Sequence, residues 1–221
     1  MTLSVVIPTL NAAATLSATL ASLDGADEIV IADGGSTDRT RDIAHGSGAK
    51  LVKSSCGRGR QLATGAMEAK GDWLLFLHAD TTLESDWQVA LDRYMADPAN
   101  RYRAAAFRFA LDDVSPQARR LERMVAWRAN ALALPYGDQG LLINREFYLS
   151  LGGFRALPLM EDVDLVRRIG RRRLVILPIS ARTSAARWRS QGWTARSLRN
   201  VTCLSLYFLG VPPRLLYRLY G

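Results

Sequence analysis

The chain has 221 residues, 48% of them hydrophobic, and a formal net charge of +8. That length suits one domain with at most a small appendage, and the apolar content suffices for a real core. Apart from Lys50, Lys53 and Lys70, every basic residue is Arg. Arg forks bind phosphate and carboxylate in a bidentate way, so the charge balance points to anionic substrates or an anionic membrane surface. Only Cys56 and Cys203 are present, no Cys/His zinc spacing exists, and the chain reads as a reduced cytosolic protein. No apolar run is long enough to span a bilayer, and no basic region precedes a cleavable apolar segment.

Taken in order, Leu3 to Ile7 is a run rich in β-branched residues, interrupted only by Ser4, the pattern of a strand buried on both faces. Pro8-Thr9-Leu10-Asn11 stops it, and Leu16, Leu20 and Leu23 follow at helical spacing. Glu28 to Ala32 predicts a second strand, ending at Asp33-Gly34-Gly35-Ser36-Thr37-Asp38, and Arg39 to His45 a helix closed by Gly46 and Gly48. Leu51-Val52 is a weaker strand, Gly59 to Lys70 a helix closed by Gly71, and Leu74 to Leu77 a fourth strand. Strands alternating with helices every 20 to 30 residues or so predict parallel βαβ units. Beyond that, the pattern predicts strands at Ala104 to Ala110, Gly140 to Ile143 and Leu174 to Leu177, the last broken by Pro178. It predicts helices at Gln117 to Leu134 and Asp162 to Ile169, with a Gly-Gly-Phe turn at Gly152 to Phe154 between them.

The chemistry gathers at strand ends. Leu74 to Leu77 stops abruptly at His78-Ala79-Asp80, and in open parallel sheets ligands sit beyond the carboxyl ends of the strands. Read alone, Asp80 is first of all a turn cap, and the case for function rests on what the other strand ends supply. The six residues Asp33 to Asp38 hold two carboxylates and two glycines, of which Gly35 lets backbone approach a ligand or take positive φ. Asp33 ends a buried strand, where a carboxylate needs a donor partner. Glu161, Asp162 and Asp164 put three carboxylates in four residues. Crowding of that kind raises at least one pKa and suits proton abstraction, though an acidic helix start looks the same. Gly137-Asp138-Gln139-Gly140 is a polar turn ahead of a strand. No P-loop is present, and Gly57-Arg58-Gly59 fails as a dinucleotide fingerprint because Leu62 takes the last glycine position. Arg58 and Arg60 remain candidate diphosphate clamps, with plain surface charge as the alternative.

The ordered set Pro8 to Asn11, Asp33 to Asp38, His78-Ala79-Asp80, Gly137 to Gly140, Gly152-Gly153-Phe154 and Glu161-Asp162 resembles the family 2 glycosyltransferases, over roughly Leu3 to Ala185. The likeness narrows to a small bacterial subgroup with His-Ala-Asp in place of the DxD motif and a basic, Gln-containing segment like Gly57 to Gln61. The resemblance implies an α/β GT-A fold, a Rossmann-like, mostly parallel sheet flanked by helices. Its catalytic domain would cover residues 1–192, with a nucleotide-sugar half to about 100 and an acceptor half beyond, followed by an amphipathic tail, 193–221. It also implies that Pro8, Thr9, Asn11, Asp33 and Gly35 hold the nucleoside, with Arg58, Arg60 and His78 near ribose or diphosphate. Asp80 would bind Mg²⁺ or Mn²⁺; His78, at the position of the first Asp, contacts metal, ribose or phosphate. Asp138 and Gln139 would line the sugar and acceptor side, and Asp162, beside Glu161, would be the catalytic base of an inverting transfer from a nucleoside diphosphate sugar, UDP-linked by preference.

Arg187-Trp188 fits the QxxRW motif of processive relatives, but Ser184 stands at its Gln position, so processivity is not expected. Both residues are expected on the sugar and acceptor side. The tail mixes Tyr207, Phe208, Arg214, Tyr217 and Arg218, a composition suited to a membrane interface and to a lipid-linked hydroxyl acceptor, or equally to a helix docked on the core. The implied location is cytoplasmic, with peripheral contact to the inner membrane face. Two other classes compete. A nucleotidyltransferase would need a basic phosphate loop after the first strand, and Pro8 to Ala14 has no Lys, Arg or Gly. A nucleic-acid-binding module would need a clustered basic face with aromatics, and the Arg residues are dispersed.

Overall fold

The first strand, β1 (Leu3–Thr9), is buried along its length, and its side chains alternate between two cores, Val5 and Ile7 facing one and Val6 the other. The computed structural model describes residues 1–220, and among these the alternation recurs in every central strand. Strands β2 (Glu28–Asp33), β3 (Lys50–Lys53) and β4 (Trp73–Phe76) alternate with α1 (Leu16–Ala21), α2 (Thr40–Gly46) and α3 (Arg58–Glu68). β1 pairs in parallel with β2 and β4, and β2 with β3, in register Val6↔Val30 and Val6↔Phe76. Parallel neighbours require crossover helices, which cover both faces and explain the near-continuous apolar runs.

The second half adds β5 (Thr81–Leu83), α4 (Trp87–Ala96), β6 (Ala104–Leu111), α5 (Pro116–Leu132), β7 (Leu141–Asn144), α6 (Arg145–Ser150), α7 (Glu161–Ile169) and β8 (Leu174–Thr183). Together the strands form one sheet in the order β3-β2-β1-β4-β7-β6-β8-β5. β7 is antiparallel to β4 and β6, β5 is antiparallel to β8, and β6 and β8 are parallel. The parallel half thus continues into a mixed half. On one face α1 and α4 pack Leu16, Leu20, Trp87 and Leu91 over Val5, Ile7, Leu75 and Leu77. On the other, α3, α6 and α7 pack Leu62, Ala66, Phe147, Leu165 and Ile169 over Val6, Val30, Leu74 and Phe76.

Pro178 does not end the last strand. β8 runs through it to Thr183, and the ladder to β6 shifts register there, from Ala106↔Ile176 to Arg108↔Ser180. At such an irregularity a proline costs no ladder hydrogen bond, which is where sheets tolerate it. The Pro178 carbonyl accepts instead from the Arg108 guanidinium. The tail forms α8 (Ala186–Gln191), α9 (Trp193–Phe208) and α10 (Pro213–Tyr220). Cys203 and Leu216 are buried against Met160 and Val163 of the α7 region, so α9 and α10 dock on the body of the protein. No helix among the described residues is long and apolar enough to cross a membrane.

Candidate active site

The carboxyl ends of β1, β2 and β4 open at one edge, and their loops are tied together. Asn11, with φ 51, is in the left-handed region that Asn tolerates better than most side chains. Its Oδ1 accepts the Thr37 N–H at 2.9 Å, and its own N–H donates to Ser36 Oγ at 2.9 Å. The Ala12 and Ala13 N–H groups donate to Thr40 Oγ1 and Asp38 Oδ2 at 2.7 and 3.1 Å. Gln61 Nε2 donates to the carbonyls of Thr9 and Ala32 at 2.6 and 3.0 Å, locking the last turns of two strands to α3. Pro8-Thr9-Asn11 and Asp33–Asp38 are therefore one preformed wall.

Asp33 is 3% exposed. Its Oδ1 accepts from Thr9 Oγ1 at 3.0 Å and Ser36 Oγ at 2.5 Å, and its Oδ2 from the N–H groups of Gly35 and Ser36 at 3.1 and 3.0 Å. Burial works against its charge, but these donors, Ser36 first, hold the carboxyl below its ordinary range. Asp33 shapes the loop from inside. Gly35, φ 100, has nothing within contact distance of a notional Cβ, so its backbone is open to a ligand.

Across the edge, one cavity of about 120 Å³ gathers Arg58, His78, Asp80, Asp138, Glu161, Asp162 and Arg187, with Trp188 in its wall. Asp80 is held by the end of β8: Ser184 N–H donates to its carbonyl at 3.1 Å and Thr183 Oγ1 lies 3.4 Å from its Oδ1. Met160, φ 65, makes the left-handed step that delivers Glu161 and Asp162 to the start of α7. Non-glycine residues adopt that region rarely, and it concentrates at functional sites. Asp162 Oδ2 accepts the Gly137 N–H and Oδ1 the Val163 N–H, each at 2.7 Å. Gly137 has to be glycine: a Cβ there would lie 2.6 Å from His78 Nε2. That close approach stacks the 137–139 turn on His78 and aims Asp138 into the cavity. Gly59 is similarly required, since a Cβ would meet the Arg155 carbonyl at 2.3 Å, and this seats Arg58 beside α7.

The electrostatics are unbalanced in a useful way. Desolvation, then Arg58 and Arg187, push the His78 imidazole well below its ordinary value, so it is neutral. Desolvation and neighbouring Asp162 raise Glu161, 2% exposed, to about 7 against the pull of Arg58, whose Nη1 is 3.4 Å from Oε1. Asp138 is raised to about 6 by desolvation, opposed by Arg128 and reinforced by Asp162 and Asp80. Asp164, the third carboxylate of that run, is diverted into ion pairs with Arg168 and Arg155 at 2.6 and 3.1 Å. Asp138 Oδ1, Asn200 Oδ1 and Arg196 Nε are buried without a hydrogen-bond partner, and all three residues line the cavity. Native proteins pair most such atoms. Of the five unpaired among the described residues, three meet here, the others being Tyr94 Oη and Arg103 Nε, so this cavity offers unmet polar groups to a ligand.

Several placements differ from the sequence-based expectation. Asp33 shares the sheet edge with Asp80 and Asp162 but is not in their cavity, being closed off by its own loop. Arg60 is exposed and outside it. Gln139 turns away from the cavity: it is 1% exposed and donates through Nε2 to the Phe107 carbonyl at 2.9 Å. In its place stand residues that carry no motif, namely Tyr136, Arg196, Asn200 and Tyr220. Arg128 lies 3.3 Å over the Tyr136 ring, and Arg196 stacks 5.1 Å over Trp188. The tail therefore walls the site.

The fold that carries this acidic, Arg-flanked edge is of the GT-A type. The chain belongs to glycosyl transferase family 2, whose model matches residues 4–143, more than half its length. A PGL/p-HBAD biosynthesis glycosyltransferase of Mycobacterium tuberculosis is 43% identical over 97 residues, and one of Mycobacterium bovis equally so. The match covers 36% of this chain and 36% of the relative, so the chain spans about a third of the length of these curated relatives. Glucosyl-3-phosphoglycerate synthase from Mycobacterium tuberculosis, solved with Mn²⁺, UDP and glucosyl-3-phosphoglycerate, superposes with a TM-score of 0.56 at 22% identity. That likeness covers 83% of this chain and 70% of the other. GalNAc-T7, solved with UDP, GalNAc and Mn²⁺, gives 0.62 at 19% identity, over 83% and 44%. These two likenesses are of fold.

Proposed function

We propose that the protein transfers a sugar, with inversion, from a UDP-linked donor to a hydroxyl acceptor, and that Asp162 is the base. The observation that carries this is the meeting of Asp80, Asp138 and Asp162 with Arg58 and neutral His78 around a cavity holding three orphaned polar atoms. In this reading the Pro8–Asn11 and Asp33–Gly35 wall seats the nucleoside, with the open backbone at Gly35 against it. Arg58 faces the diphosphate; Arg187 closes over it from α8. Asp162 takes the proton of the acceptor hydroxyl as that oxygen bonds to the anomeric carbon, and the bond from that carbon to the diphosphate oxygen breaks. Arg58 offsets the charge gathered on the departing diphosphate. Glu161, more basic than an ordinary carboxyl, holds Arg58 in place. The relatives solved with UDP and Mn²⁺ support the choice of donor and ion.

The donor set fits a hard cation only in part. Asp80 supplies oxygen and His78 a neutral ring nitrogen, but among the described residues no three His, Cys, Asp or Glu side chains are grouped to hold an ion. A cation at Asp80 therefore needs diphosphate oxygens to complete its shell, as Mg²⁺ commonly does. When bound, Mn²⁺ or Mg²⁺ supplies positive charge to the leaving group. This predicts ordered dependence: UDP with Mn²⁺ raises the unfolding temperature more than UDP and Mn²⁺ do separately. In Asp80→Ala that extra rise disappears while the rise with UDP alone persists. A hundredfold excess over Kd is worth ~2.7 kcal/mol, enough to read by thermal shift. An undiminished Mn²⁺ effect in Asp80→Ala would move the ion elsewhere, and no response to UDP at all would sink the donor assignment.

The outer face of α9 and α10 exposes Leu198, Val201, Leu209, Leu215, Tyr217 and Leu219, with Arg214 and Arg218 beside them. Apolar side chains flanked by Arg suit the surface of an anionic membrane, and a lipid-linked acceptor would meet the site there. Removing the tail would also strip the cavity wall, so the cleaner variant is Leu215→Glu/Leu219→Glu. We expect wild type to float with liposomes containing phosphatidylserine and the variant to stay in solution. Equal flotation of the two, or none of either, would leave the tail a purely structural element.

A further inference from the structure

A second, larger opening lies behind the 137–139 turn. It is a groove of about 810 Å³ between α5 and the β6–β8 ladder. Asp138 faces the catalytic cavity, while Gln139, its neighbour in the chain, lines this groove. The floor is apolar, with Phe109, Leu177 and Ala129 among its buried residues. The rim carries Arg108, Arg119, Arg120 and Arg123 against a single acid, Glu122.

That acid is already engaged. Glu122 pairs with Arg119 at 2.5 Å and accepts the Leu111 N–H at 2.8 Å. Arg108 donates to the Pro178 carbonyl. Arg120 and Arg123 are exposed and, among the described residues, make neither a hydrogen bond nor an ion pair. Their position opposes a local rule as well. Helix α5 starts at Pro116 with no acidic residue in its first turn, yet Arg119 and Arg120 lie close to that positive end, where cations are disfavoured. Arg119 is compensated by its pair with Glu122, but Arg120 is not, and real proteins tend to break such local rules at functional sites.

We propose that this groove binds an anionic amphiphile, with a phosphate head held by Arg120 and Arg123 and an apolar chain laid on the Phe109 and Leu177 floor. Guanidinium forks match a phosphate in geometry as well as charge. The groove belongs to a different face of the turn from the nucleotide-sugar site, and the assignment stands whether or not that reading holds. Its occupant would touch Gln139 and so bear on the turn that carries Asp138.

The test is calorimetric titration of the full chain with dodecyl phosphate below its micellar concentration, with inorganic phosphate and with dodecyl maltoside. Wild type binds dodecyl phosphate at least about tenfold more tightly than either of the others. Arg120→Glu/Arg123→Glu loses at least about tenfold of that affinity with an unfolding temperature no lower than wild type, since an acid suits that end of α5. Ala126→Trp, which narrows the groove without altering its charge, loses dodecyl phosphate too. Equal affinity in wild type and the double variant overturns the proposal. So does inorganic phosphate binding as tightly as dodecyl phosphate, which would leave a bare anion site, or equal binding of the neutral amphiphile, which would leave a bare apolar one.

Discussion

Asp162→Asn is expected to abolish transfer almost completely, by about 10² to 10⁴ in rate, the range a positioned general base contributes. The substitution keeps the shape of the side chain and removes its basicity, so UDP with Mn²⁺ should still bind. One complication follows from the geometry. Asp162 accepts N–H groups with both oxygens, from Gly137 and from Val163. An amide has one oxygen, and its NH₂ would face the other donor. One backbone N–H then loses its partner, which costs about 1–3 kcal/mol. A lower unfolding temperature is therefore expected alongside the lost turnover, and the two are separated by measuring donor binding at a temperature where the variant is folded. If turnover survives at the wild-type level, the proton goes elsewhere, and Asp138 and Glu161, both more basic than ordinary carboxyls, become the candidates.

The parallel half of the sheet was legible in the sequence because burial on both faces leaves a near-continuous apolar run, and because each run stops at a polar turn. Helix α4 is legible as well. Trp87, Leu91, Tyr94 and Met95, its buried face, recur at the i, i+4, i+7, i+8 spacing of an amphipathic helix. Helix α6 buries only Phe147 and Tyr148, and α8 only Trp188, so neither shows a helical period. Pro178 misled for a reason local to the strand: a proline reads as a break unless the partner strand is known to shift register opposite it. Within the site, the carboxylates at strand and helix starts could be named from their positions, since β4, the 137–139 turn and α7 each end or begin at the same edge. Asp33 could be placed at that edge but not judged, because its satisfaction by Thr9 and Ser36 depends on a loop closing around it. Arg196, Asn200 and Tyr220 were invisible for a different reason. They reach the cavity only because α9 and α10 fold back on α7, and that packing rests on Cys203, Leu216, Met160 and Val163, which share no spacing rule.

The unpaired oxygen of Asp138 makes a prediction about stability with the opposite sign from that for activity. Its carboxyl titrates near 6 in the folded protein, against about 3.9 in an unfolded chain. Below the lower value it is protonated in both states and costs nothing. Between the two, the unfolded chain has released its proton while the folded protein retains it, so stability falls as pH rises. Above 6 the full penalty stands, about 3 kcal/mol at 1.36 kcal/mol for each pH unit of displacement. Asp138→Asn removes this titration. The variant, free of donor and metal, should equal wild type near pH 4 and exceed it at pH 8, with each kcal/mol worth about 2–4 °C in a chain of this size. Glu161, raised to about 7, adds its own pH dependence, but it is common to both proteins and cancels in the difference. Transfer activity should fall in the same variant, because the charge that burdens the empty protein is the one its ligands would use. Denaturant melts of both proteins at half-unit intervals from pH 4 to 8 provide the measurement. A difference that stays flat with pH, or a variant less stable at pH 8, would show that Asp138 is not held protonated in the cavity.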